Sequence, residues 1–336
     1  MIALNDNEGP TRPLPGLVDV NGMQLKNELS INAKGGTELL QDRLYETVDK
    51  ELLDRFQIWF SRFRREDVDN SKLQIFYAHD LAGDPEAEKA LGQGGWMNFH
   101  KIVFVSNWQA QQYISKFDIP PSRTKVLLNS IVPIDVGDKS KDGIIKLGYW
   151  STPHRGLEIL VPVFERLANE HDNIHLEVFS SFKLYGWPER DEPYTQLFEQ
   201  IEAHPNMTYR GAASNGEVRD FASKAHIWAM PSIWPETSCL SLMEAMSAGM
   251  MCIHPNLGAL YETGACWTEM YQYQEDFNQH AAYMYSILKA AVQLDFESPV
   301  IKNKLMNQKM FADATYNWNT RSLEWKMLLQ ELLQPS

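Results

Sequence analysis

Short apolar runs alternate with longer amphipathic stretches along this chain, which is the pattern of parallel strands wrapped by helices. In the first half the runs predict strands over 57–61, 73–78, 101–106 and 125–128, with helices over 37–49 and 108–116. In the second half they predict strands over 145–149, 175–179, 207–210, 227–230 and 251–253, with helices over 156–170, 194–202, 216–225 and 240–248. After Gln272 the period is helical to the end, and the amphipathic stretch Arg321 to Leu333 is a candidate to cross back onto the first half. The expected class is therefore α/β, one doubly wound unit followed by another.

Length agrees with that division, because 336 residues suit two cores of ordinary size better than one. A polar segment from Ile134 to Gly143, where Asp135, Asp138, Lys139, Lys141 and Asp142 crowd without apolar periodicity, marks the expected seam. The division expected is 1–138 for a first domain, 139–318 for a second, and 319–336 for a helix returning to the first. A formal charge of −13 argues against a nucleic-acid partner, since no basic stripe offsets it. The three cysteines, Cys239, Cys252 and Cys266, have no metal-ligand spacing and read as buried thiols of a reducing compartment. The start of the chain is polar, with Pro10, Pro13, Pro15 and Gly16, and no run is long and apolar enough to span a bilayer, so a cytoplasmic location is expected. Arg62, Arg64 and Arg65 interleaved with Phe60 and Phe63 are the best local case for a membrane surface, a contact less favoured than an ordinary strand end followed by a charged loop.

The most informative chemistry lies in residues 231–249, where Glu236 stands in a loop and Glu244 lies eight positions on, inside the next helix. A helix start presents unpaired N–H groups and a partial positive charge, which favour a diphosphate. Two carboxylates flanking such an anion could each hold a pair of hydroxyls, a sugar at one end and a ribose at the other. The same spacing also suits an ordinary helix with two solvated acids. A second phosphate candidate is the strand–turn–helix segment from Gly148 to Glu158, whose Arg155 offers a guanidinium that never loses its charge. A third is Asn32-Ala-Lys-Gly-Gly-Thr, where Gly35 and Gly36 would let the backbone approach a ligand before a helix. His79 and Asp80 follow a strand and are expected at the cleft, where a histidine could hydrogen-bond a sugar hydroxyl or tie down a loop. Asn129 and Ser130 read as a hinge or turn. Asp67 and Asp69 have the spacing of a metal-diphosphate pair but sit in a charged, loop-like stretch, so no metal site is expected.

Taken in order, Gly35-Gly36, Val105-Ser106, Asn129, the Arg155-Gly156 turn, Pro231-Ser232, Glu236 through Glu244 and Ala248-Gly249 resemble the retaining family-four glycosyltransferases of the GT-B fold. The resemblance implies two Rossmann-like domains facing a cleft, and transfer of a sugar from a nucleoside diphosphate donor to a glycan or other hydroxyl acceptor, with anomeric configuration kept and without metal or cofactor. By the same resemblance Glu244 holds the ribose, Glu236 faces the donor sugar, and the amides of Ser238, Cys239 and Leu240 face the sugar or diphosphate. His79 is the cleft histidine, Arg155 stabilises the leaving phosphate, Gly35 and Gly36 approach the donor, and the backbone around Tyr209, Arg210 and Gly211 contacts the base. Two departures stand out: Tyr149 occupies a position where relatives commonly carry an arginine, and Cys239 one where glycine is frequent. A sugar-nucleotide epimerase of the same architecture and a noncatalytic nucleotide-sugar binder are the alternative readings.

Overall fold

The structure is a computed structural model that describes residues 35–139 and 142–334. The prolines near the start, Asn32 to Lys34 of the glycine motif, and Lys141 lie outside the described residues. The first half runs α1 (Gly36–Thr47), α2 (Lys50–Leu53), β1 (Phe56–Phe60), β2 (Leu73–Ala78), α3 (Pro85–Leu91), β3 (Lys101–Phe104), α4 (Asn107–Phe117) and β4 (Thr124–Val126). Its four strands are parallel, in the order β1-β2-β3-β4. Residues 74–78 of β2 are all buried, as expected of a strand covered on both faces.

The second half begins with β5 (Ile145–Trp150), α5 (Leu157–Ala168), β6 (Ile174–Phe179), α6 (Thr195–Ala203), β7 (Met207–Tyr209), α7 (Asn215–Lys224) and β8 (Ile227–Ala229). It continues with α8 (Leu240–Ser247), β9 (Met251–Pro255), α9 (Leu260–Gly264), β10 (Glu269–Tyr271), α10 (Phe277–Ala291), α11 (Pro299–Thr315) and α12 (Trp318–Leu333). Its six parallel strands lie in the order β10-β9-β8-β5-β6-β7. From β5 the chain winds outward through β6 and β7, then returns to the other side of β5 with β8. The switch point between β5 and β8 opens a crevice at their carboxyl ends, and it is there that parallel sheets bind ligands.

Most expected strands and helices match within a few residues. The short elements α2, α3, α9 and β10 were not foreseen, although Asp84, whose side chain accepts from the Glu86 N–H, and Pro85 give α3 an ordinary helix start. The polar segment expected as the seam is mostly exposed, at Asp135 to Asp138 and at Asp142 and Gly143, and is docked at a few points. Ile131 and Ile134 are buried in the second core, the Ile134 N–H donates to Ser247 Oγ at 2.9 Å, and Lys139 Nζ donates to the carbonyls of Ala225 and Gly249. The change of core thus falls between Leu127, in the first core, and Ile131, in the second. Cys239 and Cys252 are buried but Cys266 is exposed, which corrects the expectation of three buried thiols. Phe60 and Phe63 are buried, while Arg62 pairs with Asp80 and Arg64 with Glu86. The phenylalanines serve the core and are not exposed beside the arginines. No helix among the described residues is long and apolar enough to cross a bilayer.

Helix α12 joins the core beneath the first sheet, where Trp325, Leu328 and Leu329 meet Leu44, Phe60, Ile75 and Tyr77. The Trp325 ring meets Tyr77 edge-on at 5.0 Å between centroids. Truncating this fully buried indole (0 % exposed) in Trp325→Ala should cost about 3 to 5 kcal/mol of stability. Leu323→Ala, on the exposed side of the same helix, should stay within about 0.5 kcal/mol. Denaturant unfolding of both variants measures the contrast, and equal losses would show that α12 is not anchored through its indole.

Candidate active site at the switch point

Two loops leave the switch point side by side. From β5 the chain makes a turn at Pro153–Arg155 and enters α5 through Gly156, at φ +116°, a conformation that L side chains rarely adopt. A Cβ at Gly156 would stand 2.1 Å from the Pro231 carbonyl oxygen, so only glycine lets this turn lie against the loop leaving β8. That contact brings Arg155 to Glu236. Arg155 Nη1 donates to both carboxylate oxygens of Glu236, at 2.9 and 3.0 Å. Glu236 is 5 % exposed, which excludes the solvated-acid reading. Its main chain is held from the other side, since Ala259 N–H donates to the Glu236 carbonyl at 2.7 Å and Gly258 pairs with it in an isolated bridge. Gly258, at φ +61°, was not recognised from sequence, and a Cβ there would meet Glu236 backbone at 2.6 Å.

Burial opposes the charged form of Arg155, yet Glu236 beside it more than compensates and raises the guanidinium pKa above its ordinary value. Burial likewise lifts the Glu236 carboxyl, against the pull of Arg155. The short double contact is that of an ion pair. It leaves capacity unused, because Arg155 Nε is buried without a partner among the described residues. Thr152 Oγ1 and His154 Nδ1, on the same turn, share that condition. Buried polar atoms are nearly always satisfied, so orphans grouped on one turn point to a polar ligand.

Glu244 lies in the second turn of α8, 9 % exposed, and accepts from Asn215 Nδ2 at 2.9 Å. Arg219 Nη1 stands 3.7 Å from its carboxylate. Burial raises the Glu244 pKa, and Asn215 and Arg219 oppose the shift. Asn215 and Arg219, which sequence reasoning passed over, join Glu244 around an interdomain cavity of about 150 Å³ that Leu39, Leu40 and Arg43 of α1 line from the other side. Cys239 is the N-cap residue of α8 without a side-chain cap, and Ser238 and Leu240 flank it half-buried. Gly36 of the first half approaches the same helix, since a Cβ on it would meet Leu240 at 3.0 Å.

The first half contributes His79, whose carbonyl accepts from Thr237 Oγ1 at 2.7 Å, next to Glu236. Its ring packs on Tyr77 and Phe60, and its Nε2 is buried without a partner among the described residues. A second bridge between the halves is Glu262, whose carboxylate caps α4 by accepting from the Asn107 and Trp108 N–H groups, each at 2.9 Å. The remaining expected residues are engaged elsewhere. Arg210 pairs with Glu177 at 2.8 Å, and Tyr209 stacks on Phe198 while donating to the Ser180 carbonyl. Tyr149 is fully buried with its hydroxyl on the Thr152 carbonyl, so it shapes the Arg155 turn instead of replacing a cation. Asn129 and Ser130 meet Tyr77 and Arg321, tying the connector to α12. Asp67 and Asp69 are set in the loop between β1 and β2. Among the described residues no three His, Cys, Asp or Glu side chains form a group that could hold a metal ion.

The pair at the switch point, and the helix that follows it, fall within a stretch matched by a family model. Residues 150–263 match the family described as Glycosyl transferases group 1. The fold is GT-B. A glycosyltransferase from Rickettsia africae ESF-5 superposes with a TM-score of 0.62 at 15 % identity, covering 92 % of this chain and 85 % of that one. Anabaena Alr3699/HepE, solved with UDP and glucose, gives 0.60 at 13 % identity over 77 % of this chain and 72 % of that one. Sucrose-phosphate synthase from Thermosynechococcus elongatus gives 0.56 at 17 % identity, over 78 % and 68 %. At such identities the likeness speaks to the fold. A comparison with curated proteins finds no match.

Burial lowers the His79 pKa from an ordinary 6.5 to about 4; Asp80 pulls it up and Arg62 down. An unfolded histidine takes up its proton near 6.5, so the stability contributed by the neutral folded ring is complete above that pH and declines as pH falls toward about 4. NMR titration of the His79 ring should give a midpoint near 4, and one near 6.5 would show that the ring is solvated.

Proposed function

We propose that this chain is a retaining, metal-independent glycosyltransferase, which moves a sugar from a nucleoside diphosphate donor to a hydroxyl of a glycan or other acceptor. The observation that carries the reading is the buried Arg155–Glu236 pair beside the N-terminus of α8, with Glu244 further along the same helix. The diphosphate lies at the first amides of α8 and takes the Arg155 donors that Glu236 does not use. Glu244, held by Asn215, accepts from the ribose hydroxyls. Glu236 accepts from hydroxyls of the donor sugar, and His79, neutral at physiological pH, faces the same sugar from the first half.

The chemistry follows from where charge develops. As the bond between sugar and phosphate breaks, negative charge grows on the distal phosphate. Arg155 and the helix N-terminus are fixed cations and dipoles aimed at that charge, which is the work a divalent ion would otherwise do. Gly35 and Gly36 close on the phosphates from the first half, and Gly36 lies so near α8 that a Cβ on it would meet Leu240. Glu236 is tied to Arg155, an arrangement suited to orienting hydroxyls and ill suited to an attacking carboxylate. The base lies near the turn after β7, where Arg210 N–H is already spent on the Val178 carbonyl, leaving neighbouring backbone groups for its edge. The UDP complexes of HepE make uridine the first base to examine.

A thermal-shift series with UDP, GDP and ADP should show one nucleotide raising the melting temperature, because a ligand of the folded state stabilises it by mass action. Glu244→Ala should weaken that nucleotide by about 1 to 3 kcal/mol in calorimetry; unchanged affinity would remove Glu244 from the ribose site. A folded protein that neither binds nor hydrolyses any sugar nucleotide would end the transferase reading.

Arg155→Lys keeps a cation but loses the planar donors, so kcat for nucleotide release should fall at least about tenfold while donor affinity changes far less. Equal losses in both would make Arg155 a ground-state binder.

A further inference from the structure

The segment between β6 and α6 crosses the mouth of the site. Tyr185 sits at its tip, ahead of Gly186 at φ +76°, and its ring reaches the first half. A Cβ on Gly35 would stand 2.3 Å from Tyr185 Cε1, so the two are in close contact across the cleft. Arg155, Glu38 and Glu236 are the charged groups that act on its hydroxyl. The ring is therefore against Gly35, with Arg155 and Glu236 close enough to act on its hydroxyl.

This wall is braced. Trp187 stacks on Tyr185 at 5.7 Å with an 18° interplanar angle, and the Arg190 guanidinium lies 4.2 Å from the Trp187 ring. The base of the segment is closed by Asp191, which accepts from Phe182 N–H at 2.8 Å and from Ser181 Oγ. Phe182 in turn stacks on His154, the neighbour of Arg155, at 5.3 Å and 15°. The segment and the Arg155 turn are thus parts of one packed unit.

We propose that Tyr185 is the specificity-determining wall of the donor-sugar pocket, and that it confines the donor to an unsubstituted hexose. The proposal rests on the reading of Glu236 as the residue facing the donor sugar. A ring in contact with Gly35 and held from behind by Trp187 leaves the sugar a flat apolar face to lie against. A bulky substituent such as an acetamido group would have to displace the stack. Neither Gly35, which has no side chain to withdraw, nor Trp187, pinned by Arg190, can yield that space.

The experiment measures kcat/KM for nucleotide release from glucose and N-acetylglucosamine, each linked to UDP, GDP and ADP. The wild type should prefer the glucose donor carrying the base that it binds. Tyr185→Ala should move the ratio at least about tenfold toward the N-acetylglucosamine donor, the scale on which a few apolar atoms discriminate in a pocket. Tyr185→Phe should leave the ratio within about twofold, because the wall is the ring, not the hydroxyl. Should the alanine variant fail to fold, Tyr185→Leu tests the same widening and should shift the ratio in the same direction. A thermal shift by one nucleotide together with an unchanged ratio in the truncated variants overturns this proposal and leaves the transferase reading standing. No thermal shift and no release from any donor by the wild type overturns both.

Discussion

The buried ion pair between Arg155 and Glu236 is the contact on which the rest of this site depends. Each partner alone would be a desolvated charge, costly to bury and inclined to lose its ionisation. Together they bring the turn after β5 against the loop after β8, with glycines at 156 and 258 supplying the close approach on either side. The pair leaves Arg155 Nε unsatisfied, and a buried donor with nothing to bind is what an anionic ligand would meet. Glu244 is likewise a buried carboxylate held by its neighbours, Asn215 and Arg219.

The two halves meet at defined places. Thr237 reaches the His79 carbonyl, Glu262 caps α4, and Tyr185 packs on Gly35. Each joins a segment that follows a strand of the second sheet to the first half, so the cleft and the bridges across it share residues. Binding between the halves would therefore act on the same groups that hold them together. Helix α12 adds a covalently continuous tie, with Trp325 in the first core and Asn317 and Arg321 at the junction.

Much of the fold was legible because parallel strands covered on both faces read as apolar runs, and the intervening helices read as amphipathic ones. The elements missed were short, and α3 shows why: Ala87, Ala90 and Leu91 face inward from about two turns of helix, too brief for a period to emerge. The connector misled for a different reason. Asp135, Asp138 and Asp142 are exposed as their sequence suggests, but Lys139 is half-buried with its ammonium on two carbonyls contributed by distant segments, and Ile134 belongs to the second core. The same blindness to distant partners hid Asn215, Arg219 and Gly258, each of which acts on a glutamate that was noticed.

By itself the sequence determined the α/β class, the alternation of strands and helices, and the residues with chemistry to offer: Glu236, Glu244, Arg155, His79 and the glycine pair. Those follow from local properties, apolar period, turn residues and side-chain type, which any short window of the chain contains. Only the tertiary structure decided that Arg155 and Glu236 are one buried pair, that Tyr149 is a packing residue, and that Tyr185 stands across the cleft from Gly35. Such facts depend on the strand order, which places β8 beside β5 although some 77 residues separate them in the chain, and on burial, which turns an acid from a solvated charge into a partner. Neither strand order nor burial is a property of any short window, and the site exists where both are satisfied at once.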